Sequence, residues 1–198
     1  MSNFPSILTD EKANIRNGKF IDALFSIDEK YIDNVNFVHL VRIYHDAKEL
    51  NVRNKILKLL YNFEFPELKD FFNIAYKKER YLDMKIYALR GLTKFISEKE
   101  IEKLLHKFNA TLKKRQESTP YNYQEYELLR GKNALPYLLE RYHYDCFRET
   151  LQKVNEQYEI MPEVFKGIFT IDENGELLQL KNPEETSKSI RDFFDNHK

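Results

Sequence analysis

With 198 residues, 42% of them apolar, the chain has enough material for one large domain or two small ones, and an elongated stack of helices suits the same length. Lys plus Arg and Asp plus Glu both number 32, so the formal charge is zero, which argues against a uniformly basic nucleic-acid binder. The single cysteine, Cys146, excludes an internal disulfide and fits a reducing compartment, and no apolar run approaches the roughly 20 residues that span a bilayer.

The opening residues, Met1-Ser2-Asn3-Phe4-Pro5, lack the basic start and apolar run of a secretory signal, so a cytoplasmic location is expected. Gly occurs 5 times and Pro 6 times, while 15 Phe and 13 Tyr stand beside no Trp. Few breakers and many rings point to helices with aromatic seams.

From Phe37 onward, apolar residues recur at steps of three and four. Phe37, Leu40, Val41, Tyr44 and Ala47 form one set, and Val52, Ile56, Leu59, Leu60 and Phe63 the next. Leu68, Phe71, Phe72, Ala75 and Tyr76 follow, then Met84, Tyr87, Ala88, Gly91, Leu92 and Phe95, then Ile101, Leu104, Leu105, Phe108 and Leu112. Each set lines one face of a helix and leaves the polar residues on the other. Asn51, Asp83 and Ser97 are candidate N-caps, Ser97 with Glu100 three residues on as a capping box. Pro66 suits the first turn of its helix. Short joins make successive helices antiparallel.

Gln116-Glu117-Ser118-Thr119-Pro120 reads as a loop between hairpins. Beyond it, faces are formed by Tyr123, Tyr126 and Leu129, by Leu135, Leu138, Leu139 and Tyr142, and by Phe147, Leu151, Val154 and Tyr158. The pattern changes at Pro162. Ile168–Ile171 and Leu177–Leu180 flank Asn174-Gly175, a strong hairpin signal. Asn182 and Pro183 then start a last helix with Ile190, Phe193 and Phe194 on its packing face. The expected architecture is therefore all-α: stacked antiparallel helical hairpins over residues 1–161, capped by a β-hairpin and helix over 162–198 on the same domain.

The chain also repeats itself. Residues 52–60 align with 84–92 at an offset of 32, with Asn51 opposite Asp83 and Phe63 opposite Phe95. A fainter third copy runs through Leu128-Leu129-Arg130-Gly131 to Leu138-Leu139. The Val52-Arg53-x-x-Ile56 and Met84-Lys85-x-x-Ala88 helix starts, with Ala134-Leu135-Pro136-x-Leu138-Leu139, resemble HEAT-type α-solenoid repeats over residues 36 to 160. The spacing is shorter than the roughly 40–47 residues usual for such repeats, and their Asp and Arg pair is only partly represented. The resemblance implies a curved stack with a concave binding face. Small stand-alone bacterial proteins of similar kind serve as antitoxins or immunity proteins.

Chemical motifs are missing from the sequence. His39, His45, His106, His143 and His197 form no His-Glu-x-x-His, and His143 with Cys146 supplies two ligands where zinc needs three or four. The five glycines make no phosphate loop, and acids at spacing two, such as Glu98, Glu100 and Glu102, do not share a helix face. No enzyme activity, metal or cofactor is expected. Two groups are candidates for binding. Arg53, Lys85, Arg90 and Arg130 either line the inner face or satisfy carboxylates and loop carbonyls between repeats. Tyr123, Tyr126 and Tyr142, with Tyr121, Tyr137, Tyr144 and His143 nearby, either supply binding hot spots or pack the seam between helices.

The leading expectation is a non-catalytic module that holds a protein partner, in the manner of an immunity or antitoxin protein. The alternative is a HEAT-like nucleic-acid binder or DNA base-excision enzyme, which the missing Trp and zero net charge disfavour. Self-association is a third possibility.

Overall fold

A computed structural model of the protein describes residues 4–118, 123–171 and 177–197. The helices are α1 (Ser6–Thr9), α2 (Gly18–Ser26), α3 (Phe37–Asp46), α4 (Leu50–Leu60), α5 (Leu68–Lys78), α6 (Leu82–Leu92) and α7 (Glu98–Ser118). They continue as α8 (Tyr123–Arg130), α9 (Leu135–Tyr142) and α10 (Asp145–Glu159). Strands β1 (Phe169–Ile171) and β2 (Leu177–Gln179) pair antiparallel, with Thr170 opposite Leu178, and α11 (Pro183–Asn196) ends the described chain. The expected helical class and the small hairpin are both present. The Asn174-Gly175 turn lies outside the described residues, as do Thr119, Pro120 and Tyr121.

The helix boundaries correct several sequence expectations. Asn51 and Asp83 fall inside the first turn, because α4 and α6 begin at Leu50 and Leu82. The Asn51 side chain accepts from the adjacent Val52 N–H at 3.0 Å instead of capping from outside. Pro66 sits in the turn before α5, where its carbonyl accepts the Lys69 N–H. Gln116, Glu117 and Ser118 are helical, since α7 runs on past the last apolar position, Leu112. Asn182 caps as expected, accepting from the Glu184 and Glu185 N–H groups, whereas only half of the Ser97 capping box forms: the Glu100 carboxylate accepts from the Ser97 N–H, but the Ser97 hydroxyl donates to that same carboxylate.

Helices α2, α4 and α6 start at Gly18, Leu50 and Leu82, each 32 residues after the last. Their inward positions share that interval: Phe20, Val52 and Met84 are at most 1% exposed, and Leu24, Ile56 and Ala88 are fully buried. These three helices touch in order, and α8 extends the row from α6. Helix α3 packs on α4, α5 on α6, and α10 on α7, α8 and α9. Helix α6 meets α4, α5, α7 and α8, and Lys85 is its only residue that is not buried.

The tail is anchored on α8 and on the segment before β1. The Glu127 carboxylate on α8 accepts the Ile168 N–H (3.2 Å), the Phe169 N–H (2.9 Å) and the Tyr158 hydroxyl (3.1 Å). Phe193 of α11 packs edge-on against Phe165 at 5.1 Å, yet no residue of α11 is fully buried. Among the described residues no helix is long and apolar enough to cross a membrane.

The tightest packing is between α5 and α6. A Cβ added to Gly91 would stand 2.4 Å from the ring of Phe72, which is itself fully buried. Gly91→Ala should cost about 1–3 kcal/mol in urea unfolding, and Phe72→Leu in the same chain should recover part of the loss. Strictly additive losses in the double variant would show that this contact does not set the helix spacing.

Candidate binding groove

The basic residues singled out in the sequence occupy the joints between helices. Arg53 holds Glu79 at 2.8 and 3.2 Å and donates to the Lys48 carbonyl at 2.8 Å. Glu79 is buried and also accepts from the Tyr44 hydroxyl at 2.5 Å. Burial, followed by the Glu79 bond, pushes the Tyr44 hydroxyl far above its ordinary value, so it stays a donor. Lys85, the residue 32 positions after Arg53, donates to the Tyr76 carbonyl and lies over the Tyr76 ring at 4.8 Å. Both cations thus reach carbonyls near the C-terminal end of the preceding helix, where the last four carbonyls lack helical partners.

Arg90 is buried between two rings, 3.6 Å from the centre of Tyr61 and 3.4 Å from that of Tyr137. Its guanidinium donates to the Asn133 carbonyl (3.0 Å) and the Asn62 side chain (2.8 Å). Arg130 lies over Tyr158 at 3.8 Å and donates to Asn155 at 2.8 Å. Tyr126 is buried and hydrogen-bonded to Gln116, and half-buried Tyr142 is hydrogen-bonded to Thr93. Tyr123 is in α8, but its side chain is outside the described set. His143 is exposed at the C-cap of α9 with φ of 53°, the left-handed conformation common after a helix end. Burial and the nearby Glu98 raise the Cys146 thiol, which favours its protonated form. Cys146 borders a cleft between α7 and α10, together with Glu98.

A groove of mixed lining lies elsewhere, along the row of α2, α4, α6 and α8, with a volume of about 630 Å³. Phe25 closes it at α2, and Leu50, Asn54, Lys55 and Lys58 line it from α4. Tyr81, Asp83 and Tyr87 supply the α6 wall, and Glu125 and Leu128 that of α8. Asn51 and Asp83, and likewise Lys55 and Tyr87, are pairs 32 residues apart, so the repeat contained the groove positions. Arg53 is two residues from Lys55, about 200° around a helix, and points to the opposite side. The sequence signal was the interval; the phase within the helix was missed.

Charge along the groove is organised from its ends. Glu49 is paired with Arg16 at 2.7 Å, and Glu125 is paired with Arg115 and accepts the Leu82 N–H at 3.3 Å. Asp83 is buried beside the Asn54 amide at 3.4 Å. Among the described residues no cluster of three or more His, Cys, Asp or Glu could hold a metal ion.

Two measurements check these placements. Arg90→Ala leaves the Asn62 and Asn133 acceptors unpaired and opens a gap between two rings, so it should cost about 3 kcal/mol. Arg90→Lys should recover less than half of that, because an ammonium cannot stack flat; equal stability of Lys and Arg would contradict the sandwich. Burial raises the Asp83 carboxyl above its ordinary 3.8, so the folded state holds this proton to higher pH than the unfolded chain. Below that ordinary value both states are protonated and the group contributes nothing. As pH rises through it the unfolded chain ionises first, and stability is lost until the folded value is passed. Asp83→Asn should therefore be the more stable protein at pH 7, with the difference closing near about pH 3. A pH-independent difference in chemical unfolding would reject this assignment.

No protein family matches the sequence, no curated protein matches it, and no solved structure matches the fold.

Proposed function

We propose that the chain is a non-catalytic helical-repeat module, HEAT-like in organisation, that binds a partner protein in the groove along α2, α4, α6 and α8. The observation that carries this reading is the groove itself, which draws its lining from four helices that touch in sequence order. The 32-residue interval between α2, α4 and α6 supports a stack of equivalent units, since each unit presents its next helix to the same side. The lining mixes exposed apolar side chains with lysines and carboxylates, the composition of a recognition surface and not of a core. Neutralising a toxin by capping it in this groove is the specific role we favour, in keeping with small helical-repeat antitoxins.

A photo-crosslinking amino acid placed at Tyr81, inside the groove, should capture a partner in the native cell that the same group at Ile74 on α5 does not. Tyr81 and Ile74 are both 46% exposed, so the comparison isolates position from accessibility. Equal capture from both positions would move the binding surface out of the groove.

A further inference from the structure

We infer that the chain pairs with a second copy of itself along the open edge of its β-hairpin, forming a four-stranded antiparallel sheet about a two-fold axis at Gln179. This surface is separate from the groove, so the inference stands apart from the partner-binding reading above. The hairpin has two edges, and the one along β1 is closed. There the Glu127 carboxylate of α8 accepts the Ile168 and Phe169 N–H groups. The state of the β2 edge follows from the register. Phe169 faces Gln179 and Thr170 faces Leu178, while the Leu180 N–H reaches the Ile168 carbonyl at 2.8 Å. Antiparallel alternation then directs the backbone groups of Leu178 toward β1 and turns those of Gln179 outward. Among the described residues none bonds to the outward N–H and carbonyl of Gln179, and its side chain is exposed.

The side chains beside this edge are apolar. Leu178 and Leu180, two apart and hence on one face of β2, are 47% and 60% exposed. An uncovered edge flanked by exposed leucines is a template for another strand. A two-stranded hairpin is marginal by itself, whereas three or more strands with an apolar face hold together. What selects a second copy is the symmetry of the segment. Leu178 and Leu180 stand one residue either side of Gln179. With the axis at Gln179, its N–H and carbonyl exchange bonds with the same residue of the other copy. Leu178 of each chain then falls opposite Leu180 of the other, in pairs of the non-hydrogen-bonded kind, whose side chains approach most closely. Moving the axis to Leu178 or Leu180 leaves one leucine pair instead of two, so apolar contact fixes the register. A two-fold contact of this kind uses the same edge on both chains and closes at two.

The test places Cys at position 179 in a Cys146→Ser background. Facing residues of a hydrogen-bonded pair have Cα atoms about 5.5 Å apart, within reach of a disulfide. Thr170→Cys in the same background is the control, because its two copies stand three strand spacings apart, about 14 Å. Mild oxidation should link Gln179→Cys into a dimer at least about tenfold faster than Thr170→Cys. Sedimentation equilibrium of the unaltered protein should show monomer and dimer exchanging between about 10 µM and 1 mM. Leu178→Lys/Leu180→Lys sets like charges opposite each other and should weaken that dimer at least about tenfold. If this variant loses helical circular dichroism, Gln179→Pro takes its place, since it removes only an outward N–H that an edge strand can spare. Equal linkage at positions 179 and 170, or a dimer that survives these substitutions, would overturn the assignment. A chain that stays monomeric throughout would remove the second copy as occupant and leave the edge to a strand of another protein. Assemblies larger than two would contradict the closed two-fold pairing.

Discussion

The ring of Phe72 rests against the bare Cα of Gly91, at a distance that leaves no room for a methyl group. That approach lets α5 and α6 lie close along their length, and it explains why α6 carries Ala88 and Gly91 where α4 carries Ile56 and Leu59. The earlier helix has fewer neighbours and fills its space with larger side chains. Helix α6 is surrounded by four helices and reduces its own volume to admit them. The rest of the molecule is arranged about this helix, which stands in the row between α4 and α8 and also packs against α5 and α7.

Helix ends pose the opposite problem, since each leaves carbonyls without partners. Arg53 and Lys85 answer it in the same way at equivalent positions, each reaching back to carbonyls near the end of the helix before. Burial lowers the Lys85 pKa and the Glu79 bond raises that of Arg53, so the two equivalent cations meet different electrostatic surroundings. Arg90 has a third solution, aromatic faces above and below and amide oxygens in its plane. These cations, Arg90 buried and Arg53 and Lys85 partly so, give the joints a fixed geometry, which a purely apolar contact would leave free to slide.

Helices α3 to α6 were legible because their ten or eleven residues carry about three turns of pattern, and eight-residue α9 because Leu135, Leu138, Leu139 and Tyr142 fill one face. Helix α2 has only nine residues, Gly18–Ser26, and its two buried anchors, Phe20 and Leu24, make one step of four. That is too little for a period, and its membership in the 32-residue series emerges only once the helix starts are placed side by side. The N-cap expectations at Asn51 and Asp83 missed because a short polar side chain in the first turn looks the same in sequence whether it stands just outside the helix or one residue in. The binding residues were harder. A basic residue at a repeated position is compatible with a groove or a joint, and only the rotation of the helix decides between them. At Arg53 and Lys85 it chose the joint, while Asn51, Lys55, Asp83 and Tyr87 faced the open side.

That open side keeps its form because its rim is tied down by charges from outside it. Arg16, from the segment before α2, fixes Glu49 at the N-cap of α4, and Arg115 of α7 fixes Glu125 in the first turn of α8. Both carboxylates stand at helix N-termini, where the aligned peptide dipoles favour a negative charge. Glu125 also accepts the Leu82 N–H, so one carboxylate links α6, α7 and α8 at a single point.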